Sequence, residues 1–449
     1  MQKSKIWRYL TPARVLVIGF AALILIGGLL LSLPIATENG QGLRYLDGVF
    51  TATSAVCVTG LVVVDTGDTF SLFGELVVLA LVQIGGLGFM TVATFVTILT
   101  GKKIGLKERL LIQESLNVST LEGLVRLARN VVLVTVGIEM FFAIILSIRF
   151  SFDFPVGRAI YYGIYHSITA FCNAGFDVMG GFKSLSDYVG DPTVNLAVCA
   201  LIIMGGLGFI VLVDLGRYMK KRDRLSLHSK LTLIATAVLI VGGALGFYFL
   251  ENQNPQTIGG LPSMGDKTLA SLFASVTSRT AGFATLNYEV FTQGGLLWTI
   301  LLMFIGAGPG STGGGIKTVT FVVILLYLWT VISNKENTVV FRRTISPRTI
   351  YKSLVIAVMA TMLVVFATFL LTVTENKEFL RLLFEVTSAF STTGLSTNLS
   401  PVLSDPGRLI IIIMMYIGRL GPLTIALALA ARQPDKANLK YPEENLFVG

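Results

Sequence analysis

TSAVCVTGL (Thr53–Leu61), ITAFCNAGF (Ile168–Phe176), SVTSRTAGF (Ser275–Phe283) and TSAFSTTGL (Thr387–Leu395) decide how this chain is read. Each is a run of small and hydroxylated residues ending in a glycine that is followed by a large apolar residue. The four lie roughly 110 residues apart, and self-similarity at a fixed period is the signature of a repeated architecture. Four copies of one element in an apolar chain point to four walls around one axis, the plan of a pore.

Composition sets the solvent. The 449 residues are 53% hydrophobic and 14% charged, where a soluble domain carries about 25% charged residues, so this is an integral membrane protein. Lys and Arg cluster in Met1–Arg14, Lys102–Arg129, Arg217–Lys230, Lys335–Lys352 and Arg432–Lys440. Those are alternate connections of the membrane walk, so the positive-inside rule assigns them, and both termini, to the cytoplasmic side of the cell membrane. The net charge of +9 does not imply nucleic acid, because no basic face is interleaved with aromatics. Three cysteines (Cys57, Cys172, Cys199) and two histidines (His166, His228) suggest neither a disulfide framework nor a metal site. No span carries a nucleophile–base pair, which argues against an enzyme.

Around each quoted segment the same three parts recur. A spanning helix comes first: Val15–Leu33, Val125–Ile148, Leu231–Leu250 and Ile350–Val373. A shorter helix then leads to the glycine: Leu46–Val56, Ile160–Phe171, Thr268–Ser278 and Phe379–Phe390. A second span follows: Leu72–Leu99, Val194–Leu215, Leu296–Thr330 and Leu409–Ala430. Crossing a bilayer takes about 20 residues, so the middle helices must re-enter within protein or beside water. The expected fold is therefore all-α, with four tandem helix–pore loop–helix repeats and eight membrane-spanning helices around a central pore. Its parts are a cytoplasmic N-terminus (1–14), repeat 1 (15–101), repeat 2 with its preceding cytoplasmic loop (102–219), repeat 3 (220–334), repeat 4 (335–432) and a cytoplasmic tail (433–449).

A second signature keeps step with the first: IGGLG (Ile84–Gly88), MGGLG (Met204–Gly208), IGAGP (Ile305–Pro309) and IGRLG (Ile417–Gly421). The Gly85–Gly88 and Gly205–Gly208 copies read as helix-packing contacts. In repeat 3 the signature opens GAGPGSTGGGIK (Gly306–Lys317), whose six glycines and one proline cannot continue a helix. Irregular backbone at that depth must line a cavity. A phosphate-binding loop is excluded there, since Gly315 precedes Ile316 and no strand leads in.

A dehydrating cation needs replacement oxygens, which backbone carbonyls supply without a buried charge. Glycine lets the backbone aim them, and the preceding half-helix points its negative end the same way. Gly60, Gly175, Gly282 and Gly394 are preceded by Val58 and Thr59, Asn173 and Ala174, Thr280 and Ala281, and Thr392 and Thr393, all uncharged. That favours a monovalent cation held by carbonyls alone over calcium, which would call for carboxylates. One such loop would be an ordinary helix C-cap; four in register are not. Arg419 lies inside the last span, at the place of Gly86, Gly206 and Ala307, and a charge there costs at least about 3 kcal/mol, so a functional or paired role is expected.

These features resemble the Trk/Ktr/HKT superfamily of potassium transporters, nearest to the membrane subunits of bacterial Ktr systems, over Pro12 to Ala430. The resemblance implies a potassium-selective filter at the four glycines and their preceding pairs, with sodium left open as a coupling ion. It also implies an intramembrane gate at Gly306, Ala307, Gly308, Pro309, Gly310, Ser311, Thr312, Gly313, Gly314 and Gly315, with Lys317 at its cytoplasmic end. Arg419 would face the pore below the filter, as a barrier or by holding the loop's carbonyls. The expected assembly is a homodimer on a cytosolic RCK-type ring, which carries the ATP or ADP, this chain itself having no cofactor. Arg109, Arg126, Arg222, Arg224 and Arg343 are the candidate contacts. Arg279 is expected to pair with an acidic neighbour, Asp214 and Glu139 with arginines, and Asp65, Asp68, Asp177 and Glu289 to attract cations or solvate loops.

Overall fold

The computed structural model describes residues 11–99, 110, 124–221 and 224–429, and its regular structure is helical apart from one short hairpin, Val339–Val340 with Arg343–Thr344. The first helices of the repeats are α1 (Pro12–Leu31), α5 (Leu124–Phe150), α9 (Leu227–Glu251) and α13 (Pro347–Thr374). All four are long and apolar enough to cross a membrane. Polar N-caps start three of them, with Thr11, Ser226 and Ser346 each accepting a backbone N–H from the first turn. Their outward faces stay apolar and exposed, as Met362, Phe366, Phe369 and Val373 do on α13. In water that would be a liability; in lipid it is the ground state.

The short helices are α2 (Tyr45–Val56), α6 (Val156–Phe171), α10 (Met264–Thr277) and α14 (Phe379–Ser391). Helix α6 begins one turn earlier than the sequence reading placed it. Their C-terminal halves are buried although they are rich in hydroxyls: Thr53, Ser54, Thr169, Ser275, Thr277, Thr387 and Ser388 are at most 1% exposed. Each helix is thus enclosed by protein.

The second segments depart from expectation. None is one continuous helix. They form α3 (Leu72–Leu87) and α4 (Phe89–Leu99), α7 (Pro192–Leu207) and α8 (Phe209–Lys221), α11 (Gln293–Phe304) and α12 (Thr318–Ile332), and α15 (Asp405–Leu420) and α16 (Pro422–Leu429). The α7–α8 and α15–α16 pairs bend by 103° and 93°. Gly88, Gly208 and Gly421 make the breaks, at φ of 79°, 96° and 84°, a conformation cheap only for glycine. Reading Gly85–Gly88 and Gly205–Gly208 purely as packing was therefore half right. The first glycines do pack: a methyl on Gly85, Gly205 or Gly418 would overlap the carbonyl oxygen of Val56, Phe171 or Phe390, at the end of that repeat's short helix. The last glycines turn the chain.

Each repeat ties the end of its first helix to the start of its second segment, repeats 3 and 4 by a glutamate that accepts from the N-cap residue. The Ser71 hydroxyl donates to Ile35 O at 2.6 Å, Arg149 pairs with Asp191, Glu251 accepts from Thr292 N at 3.0 Å, and Glu375 accepts from the Ser404 hydroxyl. The Gly418 contact gives a direct test of this packing. Gly418→Ala is expected to destabilise the detergent-purified protein by about 3 kcal/mol, the upper range of core overpacking, seen as a lowered thermal midpoint. An unchanged midpoint would mean that α14 and α15 do not meet there.

Candidate functional site

Each short helix ends in a loop with the same backbone alternation. Val58 and Gly60 have φ of 51° and 92°, Asn173 and Gly175 57° and 66°, Thr280 and Gly282 73° and 83°, and Thr392 and Gly394 51° and 91°. Left-handed residues at both places flank one that is not left-handed, an alternation that allows successive carbonyls to face one side. The non-glycine member costs roughly 1–2 kcal/mol, a strain that only surrounding contacts can hold.

Those contacts are local. Thr59 N donates to Ser54 O and Gly60 N to Ser54 Oγ, at 2.8 and 3.0 Å; Thr393 N and Gly394 N use Ser388 O and Oγ in the same way, at 2.9 and 3.1 Å. Ala174 N reaches Thr169 O at 2.8 Å, and the Thr277 hydroxyl reaches Phe283 O at 2.5 Å. Behind the fourth loop buried Glu385 accepts from Thr397 N at 3.1 Å and from the Ser396 and Ser400 hydroxyls at 2.5 and 3.0 Å. The sequence reading missed Ser54, Ser388 and Glu385, although the hydroxyl-rich runs held the signal for the two serines.

The four loops meet in cyclic order. A methyl at Gly60 would lie 2.5 Å from Ala174 O, one at Gly175 2.6 Å from Ala281 O, and one at Gly282 2.5 Å from Thr393 O; one at Gly394 would overlap Thr59 O. The ring 1–2–3–4–1 closes on itself. On the face that the charge pattern assigns to the outside, all four glycines open into a cavity of about 360 Å³ lined also by Asp65, Asp177 and Asn398.

The acids around it are mostly engaged. Asp65 accepts from Asp68 N and Phe182 N, and Asp68 from Gly181 N, so they tie the outer loops of repeats 1 and 2 together. Glu289 accepts from the Asn398 amide at 3.1 Å. At Asp177, burial, reinforced by Asp65 and Asp68, pushes the carboxyl up to about 7. The vestibule therefore carries less negative charge at neutral pH than its acid count suggests.

Beneath the ring lies the glycine-rich segment. Ile305 and Ile316 pair as a bridge at its base, and Thr318 N donates to Ala307 O at 3.1 Å. Its upper limb is sewn to repeat 2: Gly308 N to Gly206 O at 2.8 Å, Thr312 N to Gly205 O at 3.3 Å, and the Thr312 hydroxyl to Phe171 O at 3.2 Å. Phe209 N donates back to Gly310 O at 2.9 Å. Gly313 and Gly314 press on the Thr280 and Thr392 side chains, leaving no room for a methyl. Below the segment is a second cavity of about 390 Å³, lined by Pro309, Ser311, Lys317, Arg419 and the glycines of the breaks, Gly88 and Gly421.

Arg419 is where the repeats join. One guanidinium nitrogen donates to Thr312 O, and the other donates to Gly85 O and to Gly86 O, the latter at 3.3 Å. It thus links repeats 1, 3 and 4. Lys317 turns inward, donating from Nζ to Gly313 O at 2.6 Å.

Two expected pairs are absent. Arg279 meets no carboxylate; its guanidinium faces Thr236 O and Oγ1 on α9 at 3.5 Å. Glu139 accepts from the Gln83 amide at 3.1 Å rather than from an arginine. Asp214 accepts from the Ser229 hydroxyl at 2.6 Å and also feels the charge of Arg217. Neutral partners satisfy buried charge here without a second ion to desolvate. Cys57 and Cys172 are buried at equivalent helix ends. Arg126, Arg224 and Arg343 are exposed, while Arg109 and Arg222 lie outside the described residues.

Comparison with known proteins gives the family and the fold. Residues 13–441 match the TrkH family, described as cation transport protein. The chain is 45% identical over 453 residues to the Ktr system potassium uptake protein B of Bacillus subtilis (strain 168), covering 100% of both. It is 40% identical to the protein of the same name from Vibrio alginolyticus, over 97% of this chain and 94% of that one. The potassium/sodium uptake protein NtpJ of Enterococcus hirae is 36% identical over the full length of both. Among solved structures, that of the potassium transporter TrkH from Vibrio parahaemolyticus shares the fold, with a TM-score of 0.73 at 17% identity over 96% of this chain and 86% of that one.

Proposed function

The chain belongs to the TrkH family of cation transport proteins, and on that premise we propose that it is the membrane subunit of a potassium uptake system. It is a transporter and not an enzyme. Potassium passes through the ring of carbonyls that Val58–Gly60, Asn173–Gly175, Thr280–Gly282 and Thr392–Gly394 present, and the segment Gly306–Lys317 closes the path below. The observation that carries this reading is the closed ring of four glycines between two cavities, with the glycine-rich segment wedged between the ring and the inner one.

In this reading the chain makes eight crossings with four re-entrant loops and both termini in the cytoplasm of a plasma-membrane protein. A first helix and a broken second segment per repeat support that count. The basic exposed positions Arg126, Arg224 and Arg343 suit docking on a cytosolic nucleotide-binding ring, with two copies of this chain per assembly. Sodium dependence is the second reading, favoured by full-length similarity to a protein named for potassium and sodium uptake.

The test is potassium uptake in cells that lack their own uptake systems. The wild-type chain, expressed with a Ktr-type regulatory subunit, should restore growth at low potassium. Gly282→Ser should erode the preference for potassium over sodium, because its side chain must share space with Thr393 O. No uptake by the wild-type pair, or wild-type preference in the variant, would sink the proposal.

A further inference from the structure

The inner end of the ring holds polar side chains that a pathway of carbonyls alone does not need. At the innermost position of each loop stand Val58, Asn173, Thr280 and Thr392, all fully buried. The Asn173 amide lies 3.2 Å from the Thr280 hydroxyl of the next repeat. It fits its surroundings with the nitrogen toward Ala170 O, Phe171 O and Ile202 O, at 3.3, 3.3 and 3.2 Å, and the oxygen accepting the Thr280 hydroxyl proton. The opposite orientation would set an acceptor against three carbonyls.

That orientation has a consequence for Thr280. A threonine hydroxyl has one proton and two lone pairs, so once Asn173 takes the proton the oxygen is an acceptor only. Thr392 Oγ1, at the same level in repeat 4, is buried with no hydrogen-bond partner. A buried hydroxyl left unpaired costs about 1–3 kcal/mol and calls for a missing partner. Both oxygens are covered by consecutive residues of the glycine-rich segment, Gly313 on Thr280 and Gly314 on Thr392. Glycine there allows the segment to sit directly on the hydroxyls, and no side chain would survive the approach.

We propose that the Thr280 and Thr392 hydroxyl oxygens form a side-chain subsite for a monovalent cation at the inner end of the ring. Asn173 is its positioning residue, and the site is uncovered only when the segment 306–317 withdraws. The inference rests on the four loops being the cation pathway. The subsite is lopsided: repeats 3 and 4 supply hydroxyls, repeat 2 orients one of them, and repeat 1 supplies only Val58. An ion entering or leaving there trades hydration oxygens for two hydroxyl oxygens, that of Thr280 fixed as an acceptor by Asn173, before it meets the carbonyl ring. Discrimination between monovalent cations is therefore expected to begin below the four glycines.

The test uses potassium and sodium uptake by the full chain with its regulatory partner. Thr280→Val and Thr392→Val keep the shape and remove the oxygen. Each should lower the potassium preference and raise the half-saturating potassium concentration by roughly tenfold. Thr280→Ser, which restores the hydroxyl, should behave as wild type. Asn173→Val, with the residue that repeat 1 already holds at φ 51°, should shift preference in the same direction. Added to Thr280→Val it should do nothing further, the signature of two residues acting as one unit. If the valine variants lower only maximal flux and leave preference and half-saturation untouched, the hydroxyls are structural and the proposal fails. In that case Gly282→Ser, run in parallel, separates the two readings: eroded preference leaves the pathway standing, and unchanged preference removes pathway and subsite together.

Discussion

Gly394→Ala is expected to abolish potassium uptake while leaving the protein folded in the membrane. Gly394 has φ of 91°, and a methyl there would overlap Thr59 O and lie 2.9 Å from the Gly60 Cα, the tightest junction of the four. The backbone conformation alone costs roughly 1–2 kcal/mol for a non-glycine residue. Relief of the overlap must come from moving Thr59 O or the fourth loop, and either displaces a carbonyl of the ring. A loss of about 3 kcal/mol in stabilising the dehydrated ion corresponds to roughly 100-fold in rate. Uptake should fall at least that far, with surface expression unchanged, because the clash lies at the axis and not between helices. Gly265, whose added methyl would meet only its neighbour's hydroxyl at 3.5 Å, is the control: Gly265→Ala should transport as wild type. Substantial uptake by Gly394→Ala would show that ions do not pass where these loops meet.

The second large effect is expected at Arg419. Its fork holds Thr312 O from the glycine-rich segment and Gly85 O and Gly86 O from the end of α3. Hydrogen bonds to a charged group contribute about 1.5–3 kcal/mol each, so Arg419→Met should free the segment and raise basal flux by roughly tenfold or more. Electrostatic repulsion of cations by the same guanidinium would predict an increase too. Arg419→Lys separates the two causes. Lysine keeps the charge but cannot span carbonyls of two repeats with a fixed fork. If anchoring dominates, Arg419→Lys should leak nearly as much as Arg419→Met; if the charge is the barrier, it should stay closed. Unchanged basal flux in both variants would mean that the segment is held without Arg419.

How far each feature was legible depends on the range of the interaction that makes it. The four loop glycines could be found because their constraint is local: the second left-handed residue after each short helix is written as glycine, and the fold repeats it four times. Segment Gly306–Lys317 was legible for a similar reason, since no helix survives its composition. Single glycines at 88, 208 and 421 were not. One glycine in an apolar helix packs more often than it turns, and only the neighbours in the other repeats select the turn. Arg279 and Glu139 drew the wrong partners, because sequence advertises charged mates and hides the carbonyls and amides that Thr236 and Gln83 supply. Ser54, Ser388, Asn173 and Glu385 carry ordinary identities whose roles come from what folds against them.

Hydropathy, glycine placement and the fourfold period thus sufficed for the membrane class and for the four loops whose glycines meet. Each follows from a rule acting within a few residues: lipid excludes unpaired backbone, and only glycine bends it cheaply. Which repeat meets which, that Arg419 grips two other repeats, and that Asn173 hands its oxygen to Thr280 came from assembly around the axis. Those partners lie more than 100 residues apart in sequence. Nothing local distinguishes them until four similar but unequal units close into one ring.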